Sequence, residues 1–475
     1  MRSARPARCR FPRRRRRARA PAPAWPPPCG RTPREHSPSA GRRPWSGSNA
    51  RTEIKASRDK WYGPARHDRV VRPAFLECTT CSKHYEVRLI NVCDCGGPLF
   101  ARYEWTDLGV DRLLPRNDLW RYAPLLPLEE SEIRSRGEGG TPLHRLEHLG
   151  AGGRVARVKV AALYVKDEGL NPTGTFKARG MAVAVPMACA LGGSNLVVPT
   201  AGNAGAALAL YAATYGARSL ILLASGGSEE AAREAVAYRA YVFQTAGDIS
   251  EAGRITRDLA GMTETFSLAT LREPYRVEGK KTMLFEIWEA LGGLPDWIVF
   301  PTGGGTGIVG MWKALHELRD LGWYDGPWPR FGVVQAEGCA PLVKAWKERT
   351  ETARPWPEPQ TEAAGLRVPA TIADRLVLKA IRETRGAAVA VSDAAMKVSA
   401  LNLAASEGIS ACLEGAATLA GFRRFFDDGV ITPEDRVVLV NTGSARSSGL
   451  PALAAPTVRT ADEVRTYLGL TRRAS

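Results

Sequence analysis

The chain is predicted to be an α/β protein with two parallel-sheet domains and a small cysteine-rich module before them. Strand-like runs alternate with helical stretches from Ala161 to about Leu450, as in parallel sheets that are covered by helices on both faces. Small-residue loops follow three of the strand-like runs, at the positions where such sheets bind ligands. Four cysteines near the N-terminus lie within 18 residues of one another, a spacing typical of a metal-binding module.

The first 69 residues differ in composition from the rest of the chain. Residues 1–60 contain 18 Lys and Arg against three acidic residues, whereas the remaining 415 residues carry 48 basic and 46 acidic groups. Residues 1–60 therefore carry +15 of the net charge of +17, and the rest of the chain carries only +2. The N-terminal tail is rich in arginine and proline and is predicted to be disordered. A nucleic-acid-binding arm and an organelle transit peptide are two interpretations of it. We favour a start codon assigned too far upstream, with translation beginning near Val70 or Val71.

Residues 70–112 form the cysteine-rich module, which resembles a zinc ribbon. Its cysteines are Cys78, Cys81, Cys93 and Cys95. Four thiolates on two short turns can complete a tetrahedral zinc site, although the one-residue spacer of the second pair is unusually short. Two disulfides or a reduced knuckle without metal are the alternatives, and disulfides are less favoured because no signal peptide is evident. His84 is a further candidate ligand.

A lysine lies just after a rigid turn at the predicted start of a helix. The segment Lys166–Lys177 follows the apolar run Ala162–Val165 and leads into the apolar stretch Thr175–Leu191. The Asn-Pro pair and Gly174 favour a tight bend there. Because the positive end of a helix disfavours a second cation, Lys177 is expected to shift toward its neutral, nucleophilic amine. A lysine that reaches from a helix surface into solvent is the simpler alternative for this motif alone.

Two further loops favour a functional site. The predicted strand Leu196–Thr200 leads into Ala201–Gly205, where small residues let backbone N–H groups approach a carboxylate and Asn203 offers an amide to a ring oxygen. The strand Trp297–Phe300 leads into Gly303–Gly307, whose exposed N–H groups at a helix start can cradle a phosphate. This loop lacks the ending of a P-loop and the spacing of a dinucleotide fingerprint. Lysine, asparagine and phosphate loop together indicate pyridoxal phosphate.

The order of these motifs resembles that of fold-type II pyridoxal-phosphate enzymes, and most closely that of threonine synthases. The resemblance extends over residues 75–455 and includes Tyr275–Thr282 and Asn441–Ser444. It implies a larger cofactor-binding domain (113–190 and 276–455), a smaller mobile domain (191–275) and a C-terminal tail or helix (456–475). It also implies a homodimer in the cytoplasm.

The resemblance implies a role for each matching residue. Lys177 is expected to form the internal aldimine and to act in catalysis, Asn203 to bind the ring hydroxyl, and Thr442 to face the pyridine nitrogen. The residues expected to hold the cofactor phosphate are Gly303, Gly304, Gly305, Thr306 and Gly307. Those expected to bind the substrate are Thr200, Ala201 and Gly202 for its carboxylate and Arg276 for its phosphate.

The implied reaction converts O-phosphohomoserine and water to threonine and phosphate by γ-elimination and β-addition. Ala178 departs from the family, which usually has aspartate there, and Ala204 replaces a common hydroxyl residue. The stretch Leu271–Pro274 lacks the usual serine and asparagine. A threonine or serine dehydratase is therefore one alternative, and a nucleic-acid-binding protein on an inactive scaffold is another. No apolar run approaches the roughly 20 residues of a membrane-spanning helix.

Two remaining segments are interpreted structurally. Ser406–Ala417 resembles the start of a C-terminal helix, in which Cys412 is given no chemical role and Glu414 is left unassigned. The segment from Arg354 to Pro369 is rich in proline and glutamate and is predicted to be a surface excursion.

Overall fold

A computed structural model describes residues 73–150 and 160–445. The strands are β1 (Phe75–Cys78), β2 (His84–Tyr85), β3 (Leu99–Arg102), β4 (Leu143–Arg145), β5 (Ala162–Asp167), β6 (Asn195–Thr200), β7 (Arg218–Leu223), β8 (Tyr241–Gln244), β9 (Thr265–Ser267), β10 (Trp297–Pro301), β11 (Arg330–Ala336), β12 (Ala387–Val391) and β13 (Arg436–Asn441). The α-helices are α1 (Glu147–Gly150), α2 (Lys177–Ala190), α3 (Asn203–Tyr215), α4 (Glu229–Ala237), α5 (Ile249–Met262), α6 (Tyr275–Leu291), α7 (Thr306–Asp320), α8 (Pro341–Lys347), α9 (Asp374–Glu383), α10 (Asp393–Glu407) and α11 (Leu413–Asp427). The segments 1–69 and 456–475, for which a disordered tail and a C-terminal tail or helix are predicted, lie outside the described residues.

The larger sheet has six strands in the order β12-β11-β10-β13-β5-β4. All neighbours are parallel except β4, which pairs antiparallel with β5 at one edge. Every residue of β10 is buried. Ile298 and Phe300 pack with α6, α7 and α9, whereas Trp297 and Val299 pack with α10 and α11. Helices therefore cover both faces, which explains why this strand is apolar throughout rather than alternating.

The smaller sheet has four parallel strands in the order β8-β7-β6-β9. Leu196 and Val198 of β6 pack with α2 and α3, and Val197 packs on the other face with α5. The α/β class with two parallel sheets is thereby confirmed. This sheet falls within residues 191–275, and the domain boundaries themselves stay a prediction.

Helices α2 and α6 lie against each other between the two sheets. α2 is buried from Ala178 to Ala188 and α6 from Tyr275 to Ile287, which is typical of helices enclosed by protein on all sides. A Cβ atom on Gly279 would lie 1.9 Å from the carbonyl oxygen of Arg179. The two backbones therefore approach too closely for any side chain at position 279.

The cysteine-rich module is a three-stranded antiparallel sheet in the order β2-β1-β3. The Asn91 side-chain amide donates a 2.7 Å hydrogen bond to the carbonyl oxygen of Ser267, at the end of β9. The Tyr103 hydroxyl donates a 2.7 Å hydrogen bond to Glu278 of α6. The module thus contacts both the smaller sheet and the helix that begins at Tyr275.

The segment predicted to be a surface excursion is only partly on the surface. It contains no α-helix or strand, but Ala363 and Leu366 are buried. The Arg367 guanidinium donates hydrogen bonds of 3.2 and 3.3 Å to the carbonyl oxygens of Ser225 and Gly226. The segment therefore connects the larger sheet region to the loop after β7, a contact that composition alone does not reveal. None of the helices in the described ranges is long and apolar enough to cross a membrane.

Candidate active site

The lysine turn lies between β5 and α2. Thr173 and Gly174 both have positive φ angles, of 58° and 66°, and Gly174 adopts this conformation without strain. Helix α2 begins at Lys177, two residues later than the apolar stretch suggested, and the Thr175 hydroxyl accepts a 3.3 Å hydrogen bond from the Lys177 N–H. The turn therefore presents Lys177 at the first position of a buried helix.

The lysine turn is hydrogen-bonded to the segment after β13. The Phe176 N–H donates to the Thr442 carbonyl oxygen at 3.0 Å, and the Ser444 N–H donates to the Gly174 carbonyl oxygen at 2.9 Å. Thr442 is buried with 6% of its surface exposed. These backbone contacts bring Thr442 next to the start of α2.

The Lys177 amine lies in an environment that favours its neutral form. Burial, with a smaller contribution from Arg276, lowers its pKa to about 8, while Glu414 and Cys412 act in the opposite direction. Its Nζ lies 4.4 Å from the centre of the Phe176 ring and forms no ion pair with a described carboxylate. A larger fraction of this amine is therefore uncharged at neutral pH than for an ordinary lysine.

The glycine-rich loop joins β10 to α7, which begins at Thr306. A Cβ atom on Gly303 would lie 2.2 Å from the Gly365 carbonyl oxygen, and one on Gly307 would lie 2.2 Å from the Phe300 ring. Gly305 has a φ of 86°. Side chains are thus excluded here by close neighbours, and the N–H groups of the first turn of α7 are available to an anion.

The loop after β6 leads directly into α3, whose first residue is Asn203. Gly202 has a φ of 137°, and its N–H donates a 2.9 Å hydrogen bond to the Thr200 hydroxyl. Asn203 lines a cavity of about 940 Å³ together with Thr173 and Gly174. Lys177 and the glycine-rich loop do not line this cavity. The asparagine thus faces the lysine turn across an open space.

Arg276 is a buried guanidinium that has no carboxylate partner among residues 73–150 and 160–445. Only 1% of its surface is exposed, and one Nη atom donates a 2.7 Å hydrogen bond to the Leu268 carbonyl oxygen. Its Nε has no hydrogen-bond partner in the part of the chain that the structure describes. The same Nη atom lies 3.5 Å from the Thr270 hydroxyl. Thr270 also lies against Gly304. A buried, unpaired donor beside the glycine-rich loop fits a site for a second anion.

Lys177, Asn203, the glycine-rich loop and Thr442 follow different strands, and all lie at strand-to-helix or strand-end positions. The chemistry of this set fits pyridoxal phosphate: an amine of lowered pKa, an amide, a glycine cradle and a hydroxyl. The roles of the individual residues stay predictions.

Sequence reasoning missed the charged groups that support this set. Arg179 of α2 is completely buried and donates to both Glu168 and Glu286, at distances of 2.5 and 2.6 Å. Lys166 contacts Glu286 at 2.5 Å. Burial alone would raise the pKa of Glu286, but the charges of Arg179 and Lys166 outweigh it and lower that pKa to about 2. Lys166 and Glu168 lie in the motif Lys166–Lys177 and Arg179 follows it by two residues, but the sequence does not identify Glu286 as their partner.

Glu414 also has a role that the sequence left unassigned. Its carboxylate accepts a 2.7 Å hydrogen bond from the Gly365 N–H, and Gly365 in turn lies against Gly303 of the glycine-rich loop. Cys412 is the N-cap of α11, where its sulfur accepts from the Gly415 N–H at 3.2 Å. This agrees with the purely structural interpretation of Cys412.

The four cysteines of the module converge on one point. Cys78, Cys81, Cys93 and Cys95 all have their sulfur atoms within 4.8 Å of one another. The Cys78–Cys95 and Cys81–Cys93 sulfur distances are both 3.5 Å, too long for a disulfide at about 2.05 Å. They approach the roughly 3.8 Å edge of a tetrahedron with zinc–sulfur bonds of about 2.3 Å.

The four cysteines of the module thus fit a zinc site. The disulfide alternative is wrong for this structure, because all four are free thiols. A hydrogen bond from the Tyr85 hydroxyl lowers the pKa of Cys93 to about 6, which favours a thiolate ligand. His84, the further candidate ligand, is exposed and stacks on Phe75 at 4.2 Å instead.

Comparisons with known proteins agree with this geometry. Residues 134–443 match the family model described as pyridoxal-phosphate dependent enzyme. A threonine synthase from Methanosarcina acetivorans is 35% identical over 375 residues, covering 78% of this chain and 91% of the relative. A threonine synthase from Halalkalibacterium halodurans is 33% identical over 334 residues, covering 69% of this chain and 89% of the relative.

Solved structures support the fold independently. The structure of maize serine racemase superimposes with a TM-score of 0.53 at 17% identity, covering 69% of this chain and 93% of the racemase. Such low identity bears on the fold alone, which is that of the fold-type II enzymes. The chain therefore belongs to the pyridoxal-phosphate dependent enzyme family, and within that family to the threonine synthases.

Proposed function

We propose that this protein converts O-phosphohomoserine and water to threonine and inorganic phosphate. The observation that carries the proposal is the presence of two cationic groups of different kinds, a half-buried amine and a buried guanidinium. Lys177 has an amine of lowered pKa at the start of α2, and Arg276 has a guanidinium with an unpaired Nε. The first suits covalent attachment and proton transfer, and the second suits a phosphate on the substrate.

Each residue is assigned a task in this reaction. The bound cofactor supplies an electron sink for charge that develops on the substrate carbons. Lys177 moves protons at the substrate α- and β-carbons, because its lowered pKa lets one amine serve as base and acid near neutral pH. Arg276 holds the substrate phosphate until the bond to the γ-carbon breaks, and the leaving group is then inorganic phosphate.

The remaining contacts hold the reactants in place. The loop Thr200–Gly202 and the first turn of α3 are assigned to the substrate carboxylate through backbone N–H groups. The Gly202 N–H donates to the Thr200 hydroxyl and so holds this loop in shape. Asn203 is assigned to the ring hydroxyl of the cofactor, the glycine-rich loop to its phosphate, and the Thr442 hydroxyl to its ring nitrogen. A neutral hydroxyl beside that nitrogen keeps it largely unprotonated, which moderates the electron demand of the ring.

One assay separates this proposal from the dehydratase alternative. The cofactor-loaded protein should release phosphate from O-phosphohomoserine and form threonine in equal amount. A dehydratase would instead form a 2-oxo acid and ammonia from threonine or serine. Formation of the oxo acid without phosphate release from O-phosphohomoserine would overturn the proposal.

Arg276→Gln is expected to weaken binding of the phosphorylated substrate. A charge-assisted hydrogen bond contributes about 1.5–3 kcal/mol, so KM should rise roughly 10- to 150-fold. Steady-state kinetics with O-phosphohomoserine measure this effect. The matched control is Arg272→Gln, a half-buried arginine four positions earlier, for which KM should be unchanged. Equal rises in both variants would contradict the assignment of Arg276.

We also propose that the cysteine module binds one zinc ion. Cys93→Ser should abolish stoichiometric zinc, measured by atomic emission on the purified protein, and should lower the thermal midpoint. Metal binding contributes directly to the stability of a sheet this small. Cys189→Ser, at a half-buried cysteine of α2, is the control and should retain zinc. A wild-type protein that contains no metal after purification without chelators would contradict the proposal.

We further propose that the enzyme is a homodimer that acts in the cytoplasm, as the family resemblance implies. Light scattering coupled to size exclusion measures the mass of the particle directly. A monomer at micromolar concentration would contradict the first part, and recovery of the native protein in a membrane or secreted fraction would contradict the second.

A further inference from the structure

We infer that Glu273 determines how tightly Arg276 binds a phosphate dianion, with tight binding when its carboxyl group is neutral and weak binding when it is ionised. The inference rests on the proposed function, because it concerns the site assigned to the substrate phosphate. It adds a specificity-determining residue, Glu273, whose carboxylate accepts a hydrogen bond from the Arg276 backbone N–H. The charge of that carboxylate also acts on the Arg276 guanidinium.

Glu273 is fixed next to Arg276 by the start of α6. Only 1% of its surface is exposed. Its carboxylate accepts a 2.8 Å hydrogen bond from the Tyr275 N–H and bonds of 3.1 and 3.2 Å from the Arg276 N–H. These bonds satisfy two N–H groups in the first turn of α6, which have no acceptor within the helix. The side chain therefore cannot swing away from Arg276 without exposing two buried donors.

The two side chains are neighbours but form no ion pair. No oxygen of Glu273 lies within 4.0 Å of the Arg276 guanidinium in the described structure. The guanidinium is instead held by the Leu268 carbonyl oxygen, and its Nε is unpaired. The Nε of Arg276 is thus available to an incoming anion, while the buried Glu273 carboxyl group lies beside the Arg276 backbone.

The charged groups around this pair come from α2 and α6. Arg276, Glu278 and Tyr275 of α6 face Glu273, and burial outweighs Arg276 and the hydrogen bonds to raise the Glu273 pKa to about 7. Lys177 of α2 and Lys280 of α6 face Arg276. Both protonation states of Glu273 are therefore populated near neutral pH.

The charge of Glu273 decides the net charge that a dianion meets. With a neutral carboxyl group, the arginine is uncompensated and attracts the phosphate. When the Glu273 carboxylate is ionised, its negative charge offsets the positive charge of Arg276. The phosphate is then repelled by that carboxylate in a protein interior where charges are poorly screened. Binding of the dianion is therefore coupled to uptake of one proton by Glu273, and affinity falls as pH rises above about 7.

Sulfate is the probe that tests this coupling, because it keeps both negative charges across the neutral range and is not turned over. Calorimetric titration of sulfate into the cofactor-loaded enzyme, in two buffers of different ionisation enthalpy, measures affinity and proton uptake together. We expect affinity to fall by about 10-fold between pH 7 and pH 8.5, with uptake of close to one proton at the higher pH. Sulfate binding that is independent of pH, without proton uptake, would overturn the inference.

Glu273→Gln is the matched variant, since its amide oxygen can accept the same backbone hydrogen bonds without a charge. In this variant, sulfate affinity and the KM for O-phosphohomoserine should both lose the pH dependence that Glu273 causes. The substrate phosphate ionises equally in assays of both proteins, so the ratio of wild-type to variant KM removes its effect. Glu264→Gln, at an exposed site, should behave as wild type. A Glu273→Gln profile identical to that of the wild type would refute the inference.

These readouts separate the inference from the proposed function. If the enzyme does not turn over O-phosphohomoserine but sulfate binding shows the expected pH dependence, the proposed reaction fails and the role of Glu273 stands. If turnover is found but sulfate binding is independent of pH, the proposed reaction stands and the role of Glu273 fails. Should Glu273→Gln fail to fold, Glu273→Asn, which also lacks the charge, replaces it in the same titrations and should likewise lose the pH dependence and the proton uptake.

Discussion

Lys177→Ala is expected to reduce phosphate release from O-phosphohomoserine by at least about 1,000-fold, because it removes the covalent anchor and a proton-transfer group together. The variant should also lack the visible absorbance of the lysine-linked cofactor. Borohydride reduction followed by peptide mass analysis should locate the cofactor on Lys177 in the wild type. The matched control is Lys344→Ala, at an exposed lysine of α8, which should retain both colour and activity.

The pH dependence of cofactor capture follows from the same amine. Condensation with an added aldehyde requires the neutral amine, and burial lowers the Lys177 pKa to about 8. The rate of cofactor incorporation into the cofactor-free protein should therefore rise with pH up to about 8 and level off above it. A rate that continues to rise toward the range of an ordinary lysine, near 10.4, would show that the amine is not shifted.

Arg179→Met is expected to cause the largest loss of stability, about 3–5 kcal/mol in the free energy of unfolding. The substitution preserves much of the volume but leaves Glu168 and Glu286 buried, and among the described cations only Lys166 then compensates their charges. Urea unfolding followed by tryptophan fluorescence measures the change. Arg254→Met removes an exposed ion pair with Asp258 and should cost less than about 1 kcal/mol. Equal losses in the two variants would contradict the assigned importance of the buried cluster.

The same cluster predicts how stability depends on acid. The Glu286 pKa is lowered from an ordinary value of 4.5 to about 2 in the folded protein. Its contribution is therefore fully present above about pH 4.5 and is lost as pH falls from there toward 2. Wild-type protein should lose stability across this range, and Arg179→Met should show a weaker dependence because the pairing has already been removed.

The parts of the site that lie within single short segments were predictable from sequence. Lys177 follows a turn whose residues restrict the backbone, and Gly305 has a positive φ that disfavours any side chain. In both cases the physical requirement is local. The sequence therefore contains the information without reference to the rest of the fold.

The parts that depend on distant contacts were not predictable. Arg179 meets Glu286 across 107 positions, and no local pattern identifies which buried carboxylate will face it. The three residues of β4 are too few for a reliable periodicity, so the antiparallel edge was missed. Glu273 differed from the family pattern, but only its backbone hydrogen bonds explain how a carboxylate is tolerated there.

The contact between the lysine turn and the segment after β13 has a consequence for the order of folding. Phe176 and Gly174 hydrogen-bond to Thr442 and Ser444, which lie near the other end of the described chain. A partly synthesised chain lacks these partners, so these hydrogen bonds cannot form until Thr442 and Ser444 have left the ribosome. Such long-range closure is slow compared with local helix formation. Cofactor absorbance should therefore be a late signal in refolding, appearing after helical circular dichroism has recovered.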